Sequence, residues 1–260
     1  MRNLAAFVFV AAFCVAADEN ASIDANQSAA RSAFGYSIGI GVANLPYFDT
    51  SSKTRWRVLP YGDLRYKAFF LSPMKGIGFD LPLSGGAVFS PAISYRGGRD
   101  ESDDKSLKGL GDIDAEATYG ASIAYMRPNI VAGARYFRGF SSGSSSFGVL
   151  LSFPLRISEN WTIAPSVSAG FADGKYNRTY YGVSKRQAAA SRYDRYDPKG
   201  GLIDISLSLA VNYRVSQTTS ATLFARYKRF ADQAADSPII KREGEYQNNF
   251  GAMIVYRPHK

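Results

Sequence analysis

From residue 33 onward, large apolar side chains recur at every second position. Phe34, Tyr36, Ile38, Ile40 and Val42 alternate with Gly35, Ser37, Gly39 and Gly41. Phe147, Val149, Leu151, Phe153 and Leu155 form a second such set, and Trp161, Ile163, Pro165, Val167, Ala169 and Phe171 a third. Ile203, Ile205, Leu207, Leu209, Val211, Tyr213 and Val215 stand opposite Asp204, Ser206, Ser208, Ala210, Asn212 and Arg214. Period-two alternation means β-strands with one apolar face. The pattern places strands near 33–42, 57–71, 76–97, 112–126, 129–139, 145–156, 160–172, 201–215, 218–230 and 246–258. Between them, 43–56, 98–111, 140–144, 173–200 and 231–245 are mostly long connections, and 72–75, 127–128, 157–159 and 216–217 are short.

A soluble sandwich turns its apolar face inward; a membrane barrel turns it toward lipid. Three features favour the barrel. The runs approach the ~9–11 residues a tilted membrane strand needs. The other face is rich in Gly, Ser and Ala, which suits a crowded interior. Aromatic residues fall at run ends (Tyr66, Tyr95, Tyr125, Tyr136, Trp161, Phe171, Tyr213, Tyr227 and Tyr256), the placement of an interfacial girdle. The fold expected is all-β: one closed, antiparallel transmembrane barrel of about ten strands over residues 33–260, with long loops on one side and both termini on the other. Twelve strands is the alternative, because Ser84-Gly85-Gly86 can be a tight turn inside 76–97, which forces a further strand elsewhere. Ser184 to Gln187, followed by three alanines, reads as a capped short helix in the longest loop.

The first 17 residues follow another rule. Arg2 precedes an apolar stretch from Leu4 to Val15, and Val15-Ala16-Ala17 is a small-residue cleavage site, so 1–17 reads as a secretory signal peptide and 18–32 as a polar tail. The location expected is the outer membrane of a Gram-negative type envelope, with outer-membrane lipid as a partner. The 260 residues carry a net charge of +9. In an exported chain that balance favours an anionic envelope over nucleic acid. One Cys (Cys14) and one His (His259) exclude a Cys/His zinc site, a disulfide framework and a His-dependent triad. No enzyme and no cofactor are expected.

On the face opposite the apolar one, Asp63, Arg65, Lys67, Asp114, Glu116, Arg135, Asp204, Arg214, Arg226, Lys228 and Arg257 are candidates to line the interior. Both signs are present, which suits either a salt-bridged filling or a narrow polar pore. The run Asp100-Glu101-Ser102-Asp103-Asp104 lacks calcium-loop spacing and reads as a solvated acidic loop. Asp114 and Glu116 share a strand face, ~7 Å apart, which is short of a catalytic pair without a cleft. Tyr176, Arg178, Tyr180, Tyr181, Arg192, Tyr193, Arg195 and Tyr196 in loop 173–200 form a candidate binding surface, because Tyr and Arg dominate interface hot spots.

Several stretches together resemble the MipA/OmpV family of outer-membrane proteins, the MltA-interacting proteins. They are LPYGDLRYKAFFLS (59–72), GIGFDL (76–81), YRGGRDESDDKSLKGLGDID (95–114), YNRTYYGVSKRQAAAS (176–191), YDPKGGLIDISL (196–207) and YKRFADQAADSPI (227–239). The resemblance implies an outer-membrane barrel and a non-catalytic scaffold that links a lytic transglycosylase to a penicillin-binding protein. A narrow solute channel and a surface adhesin are the other roles to weigh. The resemblance brings no catalytic residue with it.

Overall fold

The computed structural model describes residues 34–51 and 53–258; the signal-peptide and tail readings lie outside them. Fourteen strands run in chain order: β1 Phe34–Pro46, β2 Thr54–Tyr66, β3 Phe69–Ser72, β4 Gly76–Phe79, β5 Leu81–Pro82, β6 Ala87–Arg96, β7 Glu116–Arg127, β8 Ile130–Gly139, β9 Ser145–Ser152, β10 Leu155–Arg156, β11 Trp161–Ala172, β12 Gly201–Arg214, β13 Thr219–Phe230 and β14 Tyr246–Tyr256. Every pairing is antiparallel between neighbours, β14 pairs β1, and β9 pairs β11, so the sheet closes. Twelve strands form the wall; β5 and β10 are two-residue additions beside β6 and β11.

Twelve replaces ten for two local reasons. Run 57–71 breaks at Lys67-Ala68, where Lys67 adopts φ 52°, and the chain reverses into β3. Run 76–97 breaks at Ser84–Gly86, where Gly85 and Gly86 take φ of 76° and 86°. Glycine reaches that region without the Cβ clash, so this turn is written in the sequence; a lysine there is not a signal. The extra pair also moves turn 73–75 to the long-loop side. Because β3 and β4 have four residues each, the hairpin is low. β2 finds a partner in β3 only at Leu64, Arg65 and Tyr66. Loop 97–115 reaches the residue just before β2, where Lys53 Nζ lies 3.4 Å from Asp104.

The alternation sorts the faces as expected. Ile38, Ile40, Val58, Leu207 and Leu223 lie outside and exposed, as do Tyr66, Tyr95, Tyr125, Tyr136, Trp161, Tyr213, Tyr227 and Tyr256 of the girdle. The interior is less uniformly polar than the pattern suggests. Ala43, Leu45, Leu59, Ala164, Ala210 and Phe224 pack into one buried cluster within the barrel. Tyr61, Met253 and Val255 form another, with Met74 of the β3–β4 turn against it. Gly251 makes room for this packing, since a Cβ there would sit 2.6 Å from the Phe224 ring.

The long loops build on one another. They hold α1 Gly174–Tyr180, α2 Lys185–Ala190, α3 Asp232–Ala235 and α4 Pro238–Glu243. α2 starts at the capping box read from sequence: Ser184 Oγ accepts from Gln187 N, and Gln187 Oε1 accepts from Ser184 N. Two buried clusters join loops distant in sequence. Tyr180, Tyr181, Ile203, Phe230, Ala234 and Ile240 form one; Phe48, Leu107, Leu110, Val183, Tyr193 and Ile239 form the other. Hydrogen bonds lace the same segments, from Ser237 Oγ to the Tyr181 carbonyl at 2.7 Å and from Tyr196 Oη to the Gln233 carbonyl at 2.8 Å. The result is a cap with its own apolar core.

Candidate functional site

Beneath the cap lies a cavity of about 1000 Å³. Phe48, Tyr180 and Tyr181 roof it, and the turn residues Lys67, Gly85, Gly86 and Pro128 border its lower end. Ten basic and four acidic side chains line it. Charged side chains pair across this lining, and open space remains between them.

The ion pairs form two tiers. Near the short-turn end, Arg65 Nε donates to Asp63 at 3.0 Å and its Nη1 to Asp80 at 3.1 Å. Ser90 Oγ and Lys75 Nζ also donate to Asp80, at 2.6 and 3.4 Å. Below the cap, Arg96 Nη1 donates to Glu116 at 3.1 Å, Arg226 lies 3.6 Å from Asp204, and Lys228 lies 3.3 Å from Asp49. That last pair ties loop 47–53 to the wall. Strand register brings Asp204, Arg226 and Lys228 together, because Ser206 pairs with Lys228 and Ser208 with Arg226. Arg135 faces inward opposite Ser122 and Gly148 and also lines the cavity.

Two candidates stand away from the cavity, and a third only borders its lower end. Asp114 precedes β7, exposed in loop 97–115, so it shares no strand face with Glu116. Arg214 ends β12 at the short-turn rim, and Lys67 sits exposed in the tight turn, where its Nζ lies 5.6 Å from the Tyr66 ring centre. The residues missed are Asp49, Lys75, Asp80, Arg96 and Arg99. Arg96 was within reach: Ser90, Ala92 and Ser94 precede it on one face. Asp80 interrupts β4 and β5, where no periodicity survives.

Acidic run 100–104 is used internally. Glu101 accepts from the Gly109 and Gly111 amides at 2.7 and 2.9 Å, and Asp112 accepts from the Glu101 amide at 2.7 Å. Asp104 accepts from the Ser106 amide at 2.8 Å, which holds its carboxyl below the usual range. These carboxylates hold a loop; among the described residues no group of three or more His, Cys, Asp or Glu is placed to hold a metal ion.

Loop 173–200 divides by residue type. Tyr180, Tyr181 and Tyr193 are buried and Tyr176 and Tyr196 half-buried, whereas Arg178, Arg192 and Arg195 stay exposed. The mixed surface expected from the sequence is thereby split, because the tyrosines supply the cap's core. Burial pushes Tyr180 up to about 12 and Tyr176 and Tyr181 well above their ordinary value. Arg99, buried in the same layer, is pulled down by loss of solvent, and its Nη1 donates to the Tyr180 carbonyl at 3.4 Å.

A closed antiparallel sheet with an apolar outer face, aromatic ends and a charged lumen defines an outer-membrane barrel. The chain belongs to the MltA-interacting protein MipA family, whose model matches residues 38–258. The MltA-interacting proteins of Escherichia coli (strain K12) and Shigella flexneri are each 30% identical to it over 81 residues, 31% of this chain and 32% of theirs. The match thus spans about a third of those relatives' length. Among solved structures, the NanC porin is similar at TM-score 0.43 and 8% identity, covering 85% of this chain and 98% of that one. A FadL homologue of Pseudomonas aeruginosa reaches 0.40 and 7%, covering 88% and 91%.

Proposed function

We propose that this protein is a non-catalytic docking barrel of the outer membrane that holds a lytic transglycosylase, and with it a penicillin-binding protein, at its periplasmic side. The observation that carries this reading is the cap. The outer loops bury their apolar residues against one another, so the surface left for a partner is the rim of short turns, which faces the periplasm in barrels of this class. The family match and the relatives' names point to the same enzyme class.

The rim has the chemistry for such a contact. Lys67, Arg127, Arg156, Arg214 and Arg257 lie on it against Glu159. A basic rim steers an acidic face toward it, and the contact must then include uncharged surface to persist when salt screens the charges. The test is retention of a purified murein-cleaving transglycosylase on the immobilised barrel. Retention that survives high salt, and falls when Arg127, Arg156 and Arg214 are changed together to Glu, is expected. Equal retention by that triple variant would exclude the rim as the docking surface, and no retention by the parent protein would exclude the role.

A further inference from the structure

Five cationic side chains reach the cavity just below the cap: Arg96 on β6, Arg99 in loop 97–115, Arg135 on β8, and Arg226 and Lys228 on β13. In the closed order of twelve strands, β6 and β13 stand on opposite walls. The cations therefore converge from across the lumen instead of lying along one strand. Glu116 pairs with Arg96, Asp204 with Arg226 and Asp49 with Lys228, and the lining as a whole holds ten basic and four acidic residues. Arg99 is pinned through a neutral carbonyl of Tyr180.

These side chains are almost wholly withdrawn from water. Arg96, Arg226 and Lys228 keep 11, 12 and 7% of their side-chain surface, and Arg99 is 6% exposed. Arg96 Nη2, Arg99 Nε and Arg226 Nε have no hydrogen-bond partner. A buried guanidinium is normally paired at every edge, because neither water nor an apolar wall repays its lost hydration. Excess positive charge held beside an open volume is stabilised when an anion enters. Fixed guanidinium groups suit planar and tetrahedral oxyanions, which they can grip by two oxygens.

We propose that this layer is a binding site for the oxyanion group, carboxylate or phosphate, of a small solute that enters the cavity. About 1000 Å³ admits a body of sugar size. Arg96 and Arg226 hold the anion from opposite walls, Arg99 from above, and the Tyr176–Tyr180 pair, stacked at 4.5 Å, closes the roof. The site is independent of the docking role, since it lies inside the barrel and the partner outside.

The test is calorimetric titration of the full-length protein in detergent with glucuronate, glucose 6-phosphate and glucose. Saturable binding of at least one of the two anions, none of glucose, and weakening with added salt are expected. Which anion binds identifies the oxyanion. Arg226→Gln should weaken binding about tenfold or more, as loss of a charge-assisted contact does, while Lys241→Gln, an exposed cap cation, should change nothing. Arg99→Gln tests the same point from a loop, should Arg226→Gln fail to assemble. Absence of binding by the folded parent protein would overturn the site. So would glucose binding as well as glucuronate, or Lys241→Gln weakening binding as much as Arg99→Gln.

Discussion

Single side chains in the cap decide its response to pH. Asp104 titrates below its ordinary value of 3.8 because the Ser106 amide donates to it, with Lys53 assisting. A lowered carboxyl stabilises the folded loop fully above the ordinary value and loses that contribution as pH falls through the folded one. Protection of the 97–115 amides, measured against their intrinsic exchange rates, should therefore fall once pH drops below about 3.8, and Asp104→Ala should show that lower protection already at neutral pH. Tyr180 behaves in the opposite sense. Its value is raised from 10.0 to about 12, so its neutral form stabilises the cap below 10 and that contribution fades as pH rises toward 12. Tyr180→Phe should shift the alkaline loosening of the cap upward, read by protease sensitivity of 173–200. No change in onset would place the alkaline transition elsewhere. The residue scale is also where the sequence was least legible. Arg226, Lys228 and Asp204 followed from parity alone. Arg99 and Asp49 did not, because loops have no parity and their side chains are placed by the cap's packing.

At the scale of elements, legibility tracks length. Strands of ten or more residues, such as β7, β12 and β13, show alternation long enough to read, and their ends fall within a few residues of expectation. β3 and β4, at four residues each, do not hold enough period to separate from their neighbours. The break at Gly85-Gly86 was visible as turn chemistry; the break at Lys67 was not. Helix α2 was legible for the same reason as the glycine turn, through a local rule of capping. Helix α1 rests on a cap that also crosses elements. Asp173 accepts from the Tyr176 amide and, from β9, the Ser145 amide, both at 2.8 Å. Asp173→Ala should cost about 1–2 kcal/mol, as loss of a strong N-cap does, and should free α1 from the wall. Limited proteolysis within 173–200, with the barrel still heat-resistant, is the expected reading. Unfolding of the whole barrel would mean that the cap and wall are one cooperative unit.

For the whole molecule, the decisive relation is between a cationic lumen and the cap above it. The apolar cluster around Phe224 fills part of the interior, the tiers of ion pairs occupy more, and Phe48, Tyr180 and Tyr181 roof what remains. Each is a barrier to a steady current, and the cap is the one made of loops. The intact protein should therefore show no sustained conductance in planar bilayers. Removing 174–198, which joins β11 to β12 over the lumen, should open it, since Tyr176, Tyr180 and Tyr181 leave the roof together. The opened barrel should prefer anions, because ten basic residues line the cavity against four acidic ones and a narrow low-dielectric passage amplifies that excess. The reversal potential in a potassium chloride gradient reads this sign directly. A sustained current through the intact protein would mean that the cap leaves a passage, and the solute-channel role would then displace docking. A cation-selective current through the deleted form would mean that the paired carboxylates, not the arginines, govern the field. An anion-selective current seen only after deletion would join both halves of the argument: the barrel wall builds a cationic chamber, and the outer loops are spent on closing it.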